Sequence, residues 1–265
     1  MSESQRIPYH TSALPVLGAK SVLVLAPHPD DEVFGCGGCA ALYAAVGIPV
    51  HALILTDGGL GGVSNEEGGI VAARRNEVLA AAGILGYGPP VFANLPDRSL
   101  GDSISLIIDL IVQHMGRLSA DVLFAPSLWE IHPDHRASAQ AALEAIKQLG
   151  DGYTLVQYEV GVPLLPNRLV DITPVLQRKL TSMKCFASQL AVQAYDKHVV
   201  ALNVFRTYTL QPGVEAAEGV RVATVLESEE DPFGLIFEGS AHPLHLVTKP
   251  KRSWAAWRKR WSNFV

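Results

Sequence analysis

Two short segments of the chain concentrate side chains that bind metals or transfer protons. The first lies at 28–32, where His28, Asp30, Asp31 and Glu32 directly follow an apolar run at 22–26. Three carboxylates crowded beside an imidazole at the end of a buried strand repel one another unless a positive charge balances them or some of them take up a proton. The segment therefore predicts a divalent cation site.

A second polar segment lies about a hundred residues later. Glu130, His132, Asp134 and His135 follow an apolar run at 122–125. A lone His-Pro-Asp is usually a turn, and a lone His-x-x-His is usually a coincidence. If both apolar runs are parallel strands of one sheet, however, the two segments meet at its carboxyl edge, where open α/β sheets bind ligands.

The elements that would position these segments alternate along the chain. Spaced apolar residues predict strands at 21–26, 50–56, 90–94, 121–126 and 154–160, and helices at 38–46, 70–82, 103–117 and 136–149. This order predicts an α/β fold with a Rossmann-like, mostly parallel sheet and helices on both faces. Beyond 161 a helix at 175–187 and strands at 220–226 and 235–237 form a smaller C-terminal elaboration.

Length and composition predict one domain over residues 1–265. With 265 residues and 48% hydrophobic content the chain can bury a large core. We expect the core at about 20–160, the elaboration at 161–248 and a tail at 249–265. Because the chain has no run of roughly 18 to 20 apolar residues and no signal-peptide pattern, a cytoplasmic protein is expected.

The tail differs from the rest of the chain in charge. The net charge is −5, yet every charged residue after Glu238 is basic. Trp254, Trp257 and Trp261 recur there at helical spacing among arginines and lysines. Two interpretations stand: a peripheral helix on anionic membrane or glycolipid, or a helix that docks its tryptophans on the body.

The two polar segments together resemble the PIG-L or LmbE-like family of metal-dependent N-acetylglucosaminyl de-N-acetylases. The resemblance rests on Pro-His-Pro-Asp-Asp-Glu at 27–32 and His-Pro-Asp-His at 132–135. Lesser features agree at 56–58, 74–77, 95–97 and 184–189. The resemblance is specific over about 20–150 and implies hydrolysis of the N-acetyl group of an N-acetylglucosamine-type conjugate, with release of acetate.

The resemblance also implies a metal-ligand set, and the residue types agree with it. A catalytic zinc takes three protein ligands and leaves one position open. His28, Asp31 and His135 supply such a set, and the family assigns the same three as ligands. The expected cofactor is Zn²⁺, with Fe²⁺ or another divalent cation as the alternative.

The remaining polar residues are then available for catalysis. Asp30 is expected to be the general base, as in similar enzymes. His132 is expected to stabilise the oxyanion as an imidazolium and to protonate the leaving amine, with Asp134 holding the orientation of His132.

Two residues match family positions that bind substrate. Arg74 and Asp97 are expected to contact sugar hydroxyls or an attached phosphate. Alternatively, Arg74 pairs with Glu77 on a helix surface, and Asp97 is a turn residue.

Other classes of protein explain less of the sequence. A non-catalytic carbohydrate-binding module would not need Asp30, and a two-His-one-carboxylate iron enzyme would need a co-substrate clamp that the sequence does not show. The glycine-rich segment 58–69 lacks a dinucleotide fingerprint and is interpreted as a mobile loop. Cys36 and Cys39 match a redox spacing, but packing at a glycine-rich turn is favoured. No nucleic-acid partner is expected.

Overall fold

A single eight-stranded sheet forms the centre of the protein. The structure, a computed structural model, describes residues 10–63, 69–224 and 227. The predictions for 235–237 and for the tail at 249–265 lie outside these ranges. The strands are β1 (His10–Ser12), β2 (Val22–Ala26), β3 (Val50–Thr56), β4 (Val91–Leu95), β5 (Val122–Pro126), β6 (Thr154–Tyr158), β7 (Arg168–Asp171) and β8 (Ala217–Thr224).

The sheet confirms the predicted Rossmann-like architecture. Its strand order is β1-β7-β8-β6-β5-β2-β3-β4. The five strands from β6 to β4 run parallel to their neighbours, and β2 lies between β5 and β3. In contrast, β8 is antiparallel to both β6 and β7.

Helices cover both faces of the sheet. They are α1 (Asp31–Phe34), α2 (Gly37–Ala45), α3 (Gly69–Leu85), α4 (Ile104–Arg117), α5 (Pro133–Leu149), α6 (Leu176–Met183), α7 (Ala187–Leu190) and α8 (Tyr195–Phe205). Side chains of β2 alternate between the two faces: Val22 and Val24 join the core beneath α2, α3 and α6, whereas Leu23 and Leu25 join the core beneath α4 and α5. None of the described helices is long and apolar enough to cross a membrane.

The C-terminal half differs most from the sequence prediction. The helix expected at 175–187 is divided in two. A 3-10 turn at Thr173–Val175 leads into α6, which ends at Met183, and a short turn separates α6 from α7. The strand expected at 220–226 begins earlier, at Ala217. Neither β1 nor β7 was predicted, because strands of three and four residues are too short to show an alternating pattern.

A buried ion pair attaches this half to the first helices. The Lys179 ammonium, fully buried, donates to Glu218 Oε1 at 2.6 Å and to the Phe34 carbonyl at 3.2 Å. Glu218 also accepts the backbone N–H groups of Gly38 and Cys39, each at 2.7 Å, at the beginning of α2. A Cβ on Gly38 would lie 2.7 Å from Glu218 Oε1, so only glycine lets the Glu218 carboxylate come this close to the backbone of α2.

We expect Lys179→Met to lower the free energy of unfolding by about 3–5 kcal/mol, because the Glu218 charge would stay buried without its partner. Urea denaturation measures the change. The control is Lys147→Met, which removes a partly exposed pair with Glu144 and should cost under about 1 kcal/mol. Equal losses for the two variants would contradict this account of Lys179.

Candidate active site

The two polar segments meet at the carboxyl edge of the sheet, as the sequence predicts. Because β2 and β5 are parallel neighbours, the chain leaves both strands on the same side. His28 lies two residues after β2, Asp31 begins α1, and His135 lies in the first turn of α5.

Three side-chain atoms from these segments form a small triangle. His28 Nδ1 lies 3.2 Å from Asp31 Oδ2 and 3.2 Å from His135 Nε2, and the third side, from His135 Nε2 to Asp31 Oδ2, is 3.1 Å. A tetrahedral zinc ion with bonds of about 2.0–2.1 Å separates its ligand atoms by roughly 3.3 Å. The donor set and its spacing therefore fit a divalent transition-metal ion.

The opposite nitrogen of each histidine faces a carboxylate. His28 Nε2 lies 3.3 Å from both Asp134 Oδ2 and Asp97 Oδ1. His135 Nδ1 lies 3.2 Å from Glu130 Oε2. A carboxylate that accepts the ring N–H fixes the tautomer and leaves the other nitrogen with a free lone pair. Both inward nitrogens can then bind a metal.

The electrostatics of this pocket favour a positive charge at its centre. Burial by itself lowers the pKa of His28, but the bonds with Asp134, Asp31 and Asp97 outweigh it and raise the pKa to about 12. Burial likewise opposes the charge on His135, yet Asp31 and Glu130 raise its pKa to about 9. A bound cation would balance the same excess of negative charge.

Asp30 occupies an unusual backbone conformation beside the triangle. Its φ is +146°, in the region that favours glycine. Arg74 Nη2 donates to Asp30 Oδ2 at 3.0 Å. Burial raises the pKa of Asp30, Arg74 lowers it and Asp31 raises it again, which leaves it at about 6. Asp30 is therefore a carboxylate that can accept a proton near neutral pH.

Arg74 and Asp97 both contact residues of the site. Arg74 is 3% exposed and donates to the carbonyls of Gly58 and Pro29 as well as to Asp30. Asp97 uses Oδ1 on His28 and accepts the Leu60 N–H on Oδ2 at 3.1 Å. Both side chains thus contact groups of the triangle or its neighbour Asp30, and a contact of either residue with substrate stays a prediction.

The alternative pair of Arg74 with Glu77 is wrong. Glu77 accepts the N–H and the hydroxyl of Ser188, each at 2.7 Å. Gln189 in turn donates to the carbonyl of Gly61 at 3.3 Å. The C-terminal motif thus contacts the glycine-rich segment that begins beside the site.

Asp134 does not orient His132 with its carboxylate, which corrects the sequence prediction. Its two oxygens accept the backbone N–H groups of Arg98 and Leu100, and one of them also contacts His28. Only the backbone N–H of Asp134 reaches His132, at Nδ1 and 3.2 Å. Asp134 lies in the first turn of α5, and its carboxylate contacts the loop after β4 instead.

The surroundings of His132 disfavour the predicted imidazolium form. Its ring lies 4.7 Å from that of His28, edge to face, and one of its ring nitrogens lies within 4.8 Å of a ring nitrogen of His28 and of one of His135. Burial and the positive charges of His28 and His135 lower its pKa below the usual value. Because Nδ1 accepts a hydrogen bond, a neutral His132 carries its proton on Nε2 and can donate it to an oxyanion.

Glu130 is a functional candidate whose role the sequence interpretation missed. Besides His135, it accepts the backbone N–H groups of Val160 and Gly161, at 2.8 Å and 3.1 Å. Its place five residues before His135 was visible, but helical or strand periodicity does not predict a contact made inside a loop.

Cys36 and Cys39 do not form a reactive pair. Burial and the Glu218 carboxylate raise the pKa of both thiols well above their usual range. Both stay protonated near neutral pH, so they pack as small apolar side chains.

The fold and this site define an α/β protein with a buried carboxylate–histidine centre, and similar proteins give its family. The sequence profile of the PIG-L family, described as GlcNAc-PI de-N-acetylase, matches residues 23–146. An uncharacterized deacetylase, YaiS, of Escherichia coli is 30% identical over 138 residues, which cover 49% of this chain and 70% of YaiS. The chain belongs to the PIG-L family.

Two further relatives show the range of the family. The structure of N,N'-diacetylchitobiose deacetylase from Pyrococcus horikoshii superposes with a TM-score of 0.72 at 28% identity, covering 82% of this chain and 88% of the relative. A 4-oxalmesaconate hydratase of Pseudomonas putida is 28% identical over 77% of this chain and 84% of the relative. Relatives therefore include a protein named for a different reaction.

We expect Glu130→Gln to weaken zinc affinity about 10- to 100-fold, because His135 would lose the carboxylate that orients it. Competition with a fluorescent chelator measures the affinity. Glu144→Gln, at a partly exposed position of the helix α5 that carries His135, is the control and should bind zinc like the parent. Unchanged affinity in Glu130→Gln would show that His135 is held without Glu130.

Proposed function

We propose that the protein is a metal-dependent hydrolase that removes the N-acetyl group from an N-acetylglucosamine-type conjugate and releases acetate. The observation that supports it most directly is the triangle of His28, Asp31 and His135 with Asp30 beside it. The PIG-L profile and the deacetylases among the relatives support the same reaction.

The proposed metal ligands are His28, Asp31 and His135. Two imidazoles and one carboxylate suit zinc, and they also suit ferrous iron. When bound, the ion would act as a Lewis acid that polarises the acetyl carbonyl and activates water. Asp134, Asp97 and Glu130 keep the two imidazoles oriented toward it.

Asp30 is the proposed general base. Its carboxylate accepts a proton from the water that adds to the carbonyl carbon, and the same proton then goes to the amide nitrogen as the C–N bond breaks. The products are acetate and a free amine. Arg74 holds the carboxylate of Asp30 by the 3.0 Å bond, so that this oxygen keeps one position through both transfers.

His132 is the proposed oxyanion partner. Its Nε2–H donates a hydrogen bond to the carbonyl oxygen as negative charge develops there. A neutral donor suffices for this task, whereas protonation of the amine falls to Asp30. In this division neither step requires the imidazolium form of His132.

Membrane contact of the tail at 249–265 also remains a proposal. It rests on the pattern of tryptophans and basic residues in the sequence.

An acetate-release assay tests the reaction. We expect acetate and a free amino sugar in equal amounts from at least one member of a panel of N-acetylglucosamine conjugates. Activity should fall on chelation and return with zinc or Fe²⁺. A hydratase would convert an unsaturated acid without releasing acetate, and that result would replace the present proposal.

The neighbouring aspartates should respond differently to substitution. We expect Asp30→Asn to keep its metal and to lower kcat by about a hundredfold or more, the scale of a lost general base. Asp31→Ala should lose metal affinity, with partial recovery in excess zinc. Metal analysis and kcat are measured on the same preparations. If Asp30→Asn is as active as the parent, another carboxylate is the base.

A further inference from the structure

The backbone of Asp30 stores strain at the proposed base. A residue with a side chain at φ +146° costs about 1–3 kcal/mol and persists only where its surroundings hold it. In this position a small relaxation of the backbone would swing the carboxylate away from its place. The contacts that hold this residue therefore determine where the carboxylate of the proposed base lies.

Two side chains hold Asp30 from different sides. Arg74 grips the carboxylate and the carbonyl of Pro29, at 3.0 Å and 2.9 Å. Glu32 Oε2 accepts the backbone N–H of Asp30 at 3.1 Å. The first contact fixes the end of the side chain, and the second fixes the peptide from which it projects.

Stability does not account for the carboxylate of Glu32. The residue is 1% exposed, and within the described ranges no salt bridge includes it and Oε1 has no hydrogen-bond partner. A buried carboxyl group with one unpaired oxygen costs about 1–3 kcal/mol even in its neutral form, and an apolar side chain of similar volume avoids this cost. The hydrogen bond that Glu32 accepts from the Asp30 N–H offers another reason for a carboxyl group at this position.

We propose that Glu32 is a positioning residue for the catalytic base. Its carboxylate oxygen holds the amide of Asp30 in the strained conformation and so directs the Asp30 carboxylate, without touching the substrate. The inference rests on the proposed function, in which Asp30 is the base. It assigns a separate task to each of the three consecutive acids: base for Asp30, metal ligand for Asp31, support for Glu32.

The test compares two substitutions that differ in whether an acceptor oxygen remains. Glu32→Leu removes the oxygen and should lower kcat about tenfold or more, since a misplacement of about 1 Å can cost up to a hundredfold, while KM and metal content stay near parental values. Glu32→Gln keeps a carbonyl oxygen and should retain kcat within about threefold.

A double-mutant cycle separates positioning from general damage. If Glu32 acts through Asp30, adding Glu32→Leu to Asp30→Asn should lower kcat no further than Asp30→Asn alone. Ile111→Ala serves as a destabilised control, because it removes buried apolar volume on α4 and none of the site's contacts, so it should leave kcat unchanged at a temperature where the variant is folded. If Glu32→Leu does not fold, Glu32→Asp withdraws the oxygen by one methylene and replaces it in the cycle.

Three results would overturn the inference: parental kcat in Glu32→Leu, equal losses in Glu32→Leu and Glu32→Gln, or the full loss repeated in the Asp30→Asn background. Its failure is distinct from failure of the proposed function. If the parent releases acetate and Asp30→Asn does not, the function stands whatever Glu32 does. If the parent releases no acetate from any conjugate, the function and this inference fall together.

Discussion

The balance between buried carboxylates and two inward-facing imidazoles organises this protein. Around His28 and His135 the fold gathers Asp31, Asp97 and Asp134, and the pKa of His28 rises to about 12 in response. Such a concentration of negative charge is tolerable only around a positive centre. The loops after β2, β4 and β5 all meet there, so the same charges that would bind a metal also tie these loops to one another.

Environment rather than residue type gives the acids of this site their different pKa values. Asp31 lies against both histidines, which hold its pKa well below the usual range despite burial. Asp30, one residue earlier, faces Arg74 and keeps a pKa of about 6. Burial and the charge of Asp30 raise the pKa of Glu32 to about 8. Three consecutive acids thus differ because each one faces a different neighbour.

The C-terminal half makes hydrogen bonds and ion pairs with the elements that carry the site. Lys179 and Glu218 join α6 and β8 to the start of α2, and Ser188 ties α7 to Glu77 on α3. Arg206, at the end of α8, pairs with Glu159 just after β6, close to the backbone that Glu130 binds. These contacts connect the elaboration to the loops that hold His135 and to the glycine-rich segment.

The sequence by itself determined the parallel core and the residues of the centre. Apolar runs followed by polar segments locate the five-residue strands β2 and β5, and because these strands run parallel in one sheet they bring His28, Asp31 and His135 together. The residue types then predict a metal, because few other ligands suit two histidines and a carboxylate.

Only the tertiary structure decided which partner each polar side chain takes. Arg74 bonds to Asp30 rather than to Glu77, Asp134 turns to His28 rather than to His132, and Glu130 reaches His135. Such contacts depend on loop paths and on a few ångströms of side-chain reach, which periodicity along the chain does not encode. The strained backbone conformation of Asp30 cannot be predicted from the sequence for the same reason. It depends on contacts with neighbouring side chains and not on the local sequence.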